Sequence, residues 1–176
     1  MDGLIAHYSS VAASVSLPVI IYNVPSRSGV DIPVPVYQAL SMIPNIAGVK
    51  EASPDITKIA KIRCAAPELP LYSGNDDQIV PVMSLGGLGV ISVLSNLFPE
   101  ETQSMAKAAL DGDFDTAADL QLRFLPMIQA LFSDVNPIPI KAAMGYIGYD
   151  CGDCRLPLTP PSAELERMLK RLLWDN

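Results

Sequence analysis

The sequence predicts an α/β fold built on a parallel sheet, and three observations carry that prediction. Four short segments recur along the chain: Leu17 to Tyr22, Ile46 to Lys50, Leu69 to Tyr72 and Gly89 to Val93. Each is mostly apolar and often β-branched, which reads as a strand covered on both faces and therefore parallel. Segments of helical character separate them, and strand–helix–strand alternation at about 30 residues is the βαβ unit.

Taken in order, the first strand closes at Asn23-Val24-Pro25, and Pro33 to Met42 reads as a helix stopped by Pro44. After the second strand, Ser53-Pro54-Asp55 offers an N-cap, a proline at the first helical position and an early acid. Ile56, Ile59, Ala60 and Ile62 then supply an apolar helical face. The third strand closes at Ser73-Gly74-Asn75, and Asn75-Asp76-Asp77 opens a helix that includes Pro81 near its first turn and stops at Gly86-Gly87. Asp76 and Asp77 read as acids favouring the helix dipole. Gly86-Gly87-Leu88-Gly89 precedes a strand, so it is a helix-to-strand turn; a phosphate loop follows a strand and opens a helix.

Beyond the fourth strand the alternation ends. Pro99 to Leu110, Asp113 to Phe132, Asn136 to Ile147 and Ser162 to Leu173 all read as helices, the last capped by Ser162 or Thr159. No low-complexity stretch or linker interrupts the chain, so a single structural unit is expected, with a partial barrel over 1–111 and a helical region over 112–176. Four parallel strands allow a small open sheet or half of a barrel, since a closed (β/α)8 barrel needs eight.

Bulk properties narrow the function classes. A chain of 176 residues that is 49% hydrophobic is long enough for a full core. A net charge of −7 argues against nucleic acid and anionic membrane surfaces. No apolar run approaches the ~18 residues of a membrane span. Met1-Asp2-Gly3 lacks a basic region followed by an apolar stretch, which predicts no signal peptide. Three cysteines make no disulfide framework, and the cytoplasm is the expected compartment. Cys151-Gly152-Asp153-Cys154 has a redox-like spacing, but it neither follows a strand nor opens a helix, so it reads as two loop thiols. With His7 the only histidine, no metal is expected.

Chemistry concentrates at two strand ends. Lys50 terminates Ile46-Ala47-Gly48-Val49, and Tyr22 terminates Pro18-Val19-Ile20-Ile21; strand ends are where α/β folds keep reactive groups. A partly desolvated lysine loses its proton more easily, and the neutral amine can attack a carbonyl to form a Schiff base. On residues alone, a lysine at a strand end is more often a solvated cation, and a tyrosine there a strand aromatic. Glu51 should point opposite to Lys50, because side chains alternate along a strand, and it reads as structural.

The residues around these positions sharpen the choice. Tyr22-Asn23-Val24-Pro25-Ser26-Arg27-Ser28-Gly29 and Gly48-Val49-Lys50-Glu51-Ala52-Ser53 resemble the dihydrodipicolinate synthase family. That family belongs to the pyruvate-dependent class I aldolases, together with N-acetylneuraminate lyase. Further matches follow in the family's order: Ser73-Gly74-Asn75-Asp76, Gly86 to Ser92, Asn136 to Lys141 and Arg155 to Pro160. They cover nearly the whole chain and correspond to the second half of the family's chain, with Met1 near the helix before the fifth strand. The family's Gly-Thr-Thr-Gly-Glu-type segment, whose threonine helps bind pyruvate, lies outside the matched part. So does the tyrosine supplied by a neighbouring subunit.

The resemblance implies the C-terminal half of a TIM (β/α)8 barrel, strands five to eight, followed by a helical C-terminal region. It implies a lyase of lysine biosynthesis that condenses pyruvate with aspartate semialdehyde. Lys50 would form the imine with pyruvate, with no separate cofactor, and Tyr22 would relay protons. Arg27 would bind the carboxylate of aspartate semialdehyde, a role bidentate arginine suits, and Gly74 and Ile91 would lie near bound pyruvate. Arg27 and Lys50-Glu51-Ala52-Ser53 look more like this synthase than the sialic-acid lyase. Ile56 and Thr57 match a tetramer-contact region. Open strand edges and an uncovered apolar face imply a homo-oligomer or association with a complementary half-barrel. The opposing expectation is a non-catalytic half-barrel serving as an assembly or binding module; a third is another pyruvate aldolase, such as a sialic-acid-lyase-like enzyme.

Overall fold

A computed structural model describes residues 1–174. The chain forms two compact units, Met1–Ile91 and a second from Ser92 onward. The helix over 99–110, grouped with the sheet on sequence grounds, packs within the second unit against the helix that follows it.

In the first unit, helix α1 (Asp2–Ala13) precedes strand β1 (Val19–Asn23), the single turn α2 (Pro25–Ser28) and helix α3 (Val34–Leu40). Strand β2 (Ile46–Glu51), helix α4 (Ile56–Ala65), strand β3 (Leu71–Ser73) and helix α5 (Ile79–Ser84) follow. The three strands form a parallel sheet in the order β1-β2-β3. Ala47 interrupts the β1–β2 register: Val19 pairs with Ile46 and Ile20 with Gly48. From there the pairing runs Ile21 with Val49, Tyr22 with Lys50 and Asn23 with Glu51. On β3, Val49 meets Leu71, Lys50 meets Tyr72 and Glu51 meets Ser73.

One face of this sheet is the core. Ile21, Val49 and Leu71 are fully buried in a cluster with Val36, Tyr37 and Leu40 of α3 and Ile59 and Ile62 of α4. Alternate residues go the other way: Ile20 is 48% and Tyr22 43% exposed. The expectation of cover on both faces therefore fails within this unit at β1, where an apolar face stands open.

The fourth predicted strand, Gly89 to Val93, is a single parallel bridge between Ser73 and Val90. The Ser73 N–H donates to Gly89 O at 2.9 Å, and the Ile91 N–H donates to Ser73 O at 2.9 Å. On one side the Leu88 N–H still donates to Leu71 O at 2.8 Å, but among the described residues no longer ladder forms. Gly89 has φ +148°, and Val93 is already helical, opening a 3-10 turn over Leu94–Asn96. The Asn75-Asp76-Asp77 opening also divides, into a 3-10 turn at Asp76–Gln78 and then α5. Gly86, at φ +88°, ends that segment as glycine after a helix should.

The cap expected of Ser53 is not made. Helix α4 starts after Asp55 without a side-chain cap, two residues beyond Ser53, whose N–H donates to Glu51 Oε1 at 2.8 Å.

In the second unit, α6 (Pro99–Leu110), α7 (Phe114–Leu131), α8 (Ile138–Tyr146) and α9 (Ala163–Trp174) fall close to the predicted helices. Asp113 caps α7 by accepting the Thr116 N–H at 3.1 Å. Ser162 caps α9 by accepting the Leu165 N–H at 3.2 Å. Leu94, Phe124, Met127, Ile128 and Leu131 pack with Ala143, Leu165 and Leu169 as this unit's core. Among the described residues, no helix is long and apolar enough to cross a membrane.

Candidate active site

The open face of the sheet brings Tyr22 and Lys50 together. They are register partners on adjacent strands, and Lys50 Nζ lies 4.4 Å from the centroid of the Tyr22 ring. Parallel register puts both at the carboxyl end of the sheet, pointing the same way. Tyr72 is the partner of Lys50 on the opposite side. Its ring runs back towards two glycines: a Cβ built at Gly48 would lie 3.4 Å from Tyr72 Cε2, and one at Gly89 3.8 Å from Tyr72 Cδ1. Gly48, two residues before Lys50, thus leaves the space that the Tyr72 ring fills.

Partial burial holds the Lys50 ammonium below the usual lysine range, the Asp76 carboxylate pulls it back up, and the nearby Arg27 guanidinium lowers it further. The first of these is desolvation, the effect that makes an amine available as a nucleophile. A cation over an aromatic ring works the other way, steadying the charged form. Groups from four segments thus act on the Lys50 charge, namely Tyr22, Arg27, Asp76 and its own strand, with the net effect a loosened proton.

Arg27 sits in α2, exposed, one turn past the end of β1. Gly74 directly follows β3, and its N–H donates to Glu51 O at 2.7 Å, drawing the ends of β2 and β3 together. An added Cβ there would fall 2.6 Å from Ala52 Cβ, so only glycine permits the approach. Ile91 is 39% exposed and reaches the same end of the sheet through its bond to Ser73 O.

Behind the site, on the covered face, lies a buried polar cluster. Glu51 is 1% exposed, as its alternation with Lys50 implies. Its Oε1 accepts from Asn23 Nδ2 at 2.7 Å and from the Ser53 N–H at 2.8 Å; its Oε2 accepts from the Tyr37 hydroxyl at 2.6 Å. Asn23 Nδ2 also donates to Asp31 Oδ1 at 2.9 Å, and Asn23 Oδ1 accepts the Ile32 N–H at 3.1 Å. Lys58 pairs with Asp31 and lies 3.9 Å from Glu51 Oε2. Burial and the adjacent Glu51 carboxylate push the Tyr37 hydroxyl far above its ordinary range. The Lys58 ammonium bound to Asp31 holds that carboxyl below its own.

Sequence reasoning misses three of these groups. Asp76 reads as a helix-dipole acid, yet it is 1% exposed and faces Lys50 electrostatically. Tyr72 ends the third strand as Tyr22 ends the first, a parallel that could have marked it. Lys58 carries no local signal that separates it from an ordinary helix-surface cation, yet it is 6% exposed.

The second unit contains an open cavity of about 380 Å³ lined by Lys141, Tyr146, Asp150, Asp153, Cys154 and Glu166, among others. It includes none of the predicted site residues. Cys64, Cys151 and Cys154 are free thiols. Among the described residues, no group of three or more His, Cys, Asp or Glu is gathered as a metal site.

Residues 1–175 match the family model described as the Dihydrodipicolinate synthetase family. The 4-hydroxy-tetrahydrodipicolinate synthase of Caldicellulosiruptor bescii is 47% identical over 173 residues, covering 98% of this chain and 59% of its own length. That of Exiguobacterium sibiricum is 50% identical over 161 residues, covering 91% and 55% respectively. A crystal structure of dihydrodipicolinate synthase from Aquifex aeolicus superposes with a TM-score of 0.95 at 38% identity, over 99% of this chain and 60% of that one. A monomeric dihydrodipicolinate synthase variant superposes with a TM-score of 0.94 at 33% identity, over 98% and 59%. The chain thus spans somewhat over half the length of the relatives it matches.

Proposed function

Because the chain belongs to the dihydrodipicolinate synthetase family, we propose that it carries the imine-forming part of a synthase that condenses pyruvate with aspartate semialdehyde in lysine biosynthesis, in the cytoplasm. The observation that supports this best is the half-buried Lys50, its proton loosened by burial, 4.4 Å from the Tyr22 ring at the carboxyl end of the sheet.

In this reading the neutral Lys50 amine attacks the keto carbon of pyruvate, and loss of water gives the imine. A proton leaves the pyruvate methyl, and the resulting enamine attacks the aldehyde of aspartate semialdehyde. Cyclisation then releases Lys50. Tyr22 relays protons at imine formation and afterwards, while Arg27 receives the carboxylate of the second substrate. Gly74 and Ile91 border the pyruvate site. The lysine itself holds the substrate covalently, so no cofactor is required.

Within this reading the sheet is strands five to eight of a (β/α)8 barrel, with the Gly89–Ile91 bridge standing for the eighth. The exposed Ile20 and Tyr22 would then face the barrel interior, and a second copy of the chain or a complementary half-barrel would cover them. The exposure of these residues also favours a second reading, in which the chain serves as an assembly module without turnover.

Incubation with pyruvate and borohydride, followed by mass measurement, tests the chemistry. The expected result is one covalent pyruvate adduct, lost in Lys50→Ala. No adduct on a folded sample would leave the assembly reading standing, and an adduct that survives Lys50→Ala would sink the residue assignment. Turnover with a sugar aldehyde in preference to aspartate semialdehyde would instead place the chain with the sialic-acid-lyase-like enzymes.

A further inference from the structure

Tyr22 and Lys50 each have a neighbour in the chain that points to the opposite face of the sheet. Those neighbours, Asn23 and Glu51, are themselves register partners. They are joined side chain to side chain, Asn23 Nδ2 to Glu51 Oε1 at 2.7 Å, with both residues 1% exposed. Glu51 is further tied to α3 through Tyr37 and to the segment after β2 through the Ser53 N–H. Asn23 is tied to the segment before α3 through Asp31 and Ile32. Lys58 of α4 supplies the compensating charge.

Such a cluster is a costly way to fill a core. Buried polar groups gain little over apolar side chains of similar size, and what they provide is a single permitted arrangement. Along a strand a slip of one residue sends every side chain to the other face. Here it would part Asn23 from Glu51 in the interior while turning Tyr22 or Lys50 into the core. Apolar neighbours such as Ile21 and Val49 could trade places with far less penalty. The polar pair is what distinguishes the native register from its alternatives at the end of the sheet where the site lies.

We infer that Asn23 and Glu51 are positioning residues, which through the buried cluster with Tyr37, Asp31 and Lys58 hold Tyr22 and Lys50 opposite one another on the open face. The inference rests on the reading of Lys50 and Tyr22 as the reacting pair, but it concerns the presentation of Lys50 and is testable without substrate.

The test is pH-dependent acetylation of Lys50 in the full chain by acetic anhydride, followed by peptide mass, at a temperature where circular dichroism shows each variant folded. None of the charged and titratable groups facing Lys50 (Tyr22, Tyr72, Arg27 and Asp76) is substituted in any variant. Glu51→Ala is expected to move the labelling midpoint upward by about one unit, a roughly tenfold loss of reactivity at neutral pH, because the loosened ammonium regains water, which outweighs the loss of a part-exposed cation–π contact with Tyr22. Glu51→Gln keeps the acceptor for Asn23 and Ser53 and should restore most of the parent midpoint. Removing the Glu51 charge by itself would shift the midpoint down, so the direction separates positioning from electrostatics. A purely stabilising role would lower the melting temperature and leave the midpoint unmoved. An unmoved or lowered midpoint in Glu51→Ala overturns the inference, as does a Glu51→Gln shift as large as that of Glu51→Ala. If Glu51→Ala does not fold, Tyr37→Phe, which removes one bond to Glu51, should shift the midpoint the same way by a smaller amount; no shift overturns the inference equally. A parallel pyruvate–borohydride trap keeps the two readings apart: an absent adduct in the parent counts against imine chemistry alone.

Discussion

Lys50 Nζ lies 4.4 Å from the centre of the Tyr22 ring, on the strand partner directly across from it. The ring and the hydroxyl of Tyr22 can be separated by substitution. Tyr22→Phe keeps the aromatic face beneath the ammonium and removes only the proton relay, so imine formation should slow by about 10²-fold, the low end for general acid–base catalysis. The adduct should still form on long incubation. Following adduct mass against time after borohydride quenching measures this directly; an unchanged rate would remove Tyr22 from the relay.

Lys50 also leaves a signature in stability. Its folded-state pKa is lowered chiefly by burial, so the unfolded chain binds that proton more tightly than the folded one. Stability then rises with pH between the lowered value and the ordinary lysine value of about 10.4. Below that window the full penalty is present; above it the penalty is gone. Lys50→Met, which has similar length and no charge, should therefore be more stable than the parent at pH 7, with the advantage shrinking as pH approaches about 10.4. Urea denaturation of both proteins at pH 7 and at alkaline pH checks the sign, and an advantage that grows with pH would contradict it.

Much of this site is legible in the sequence because strand ends and alternation are local rules. Lys50 and Tyr22 close apolar runs, and Glu51 follows Lys50, so their opposite facing is readable from the pleat alone. What is not legible depends on long-range closure. Ser53 has the chemistry of a helix cap, but the helix starts only after Asp55 and the Ser53 N–H turns back to Glu51; the buried Asn23 and Tyr37 that hold Glu51 there are remote in sequence. Asp76 resembles any acid at a helix start until β2 and β3 bring it towards Lys50. The segment Gly89 to Val93 has strand composition but starts at a positive-φ glycine and runs into a helical turn, so only one bridge forms. A continuous apolar strand cannot reveal which segment covers its second face, and in β1 that face leaves Ile20 exposed.

Gly74 gives a prediction free of catalysis. A Cβ at this position would lie 2.6 Å from Ala52 Cβ, 3.1 Å from Glu51 O and 3.2 Å from Ala52 Cα. Two of these are backbone atoms that cannot rotate away, so β2 and β3 would have to separate where they are bonded at 2.7 Å. Gly74→Ala should cost about 1–3 kcal/mol, the usual range for overpacking. Gly3→Ala is the control: its Cβ would meet nothing within 4 Å, and within α1 the exchange should be stabilising by roughly 0.5–1 kcal/mol. Denaturant midpoints for the two variants moving in the same direction would show that crowding at Ala52 is not the cause.

The open face of the sheet predicts self-association. Among the described residues, β1 pairs on one side only, leaving a row of backbone donors and acceptors available to another chain. Beside that edge stand Ile20, 48% exposed, and Tyr22, 43% exposed, with Leu17 at 69% just before the strand. An unpaired edge flanked by apolar side chains recruits a partner more readily than either feature alone, because pairing buries both at once. The chain should therefore scatter light as a dimer or larger species at micromolar concentration. Ile20→Lys, which places a charge on the open face without touching the Asn23–Glu51 pair, should shift the population towards monomer while the melting temperature of the isolated species changes little. A parent protein that remains a stable monomer across that concentration range would rule out this face as an interface between copies.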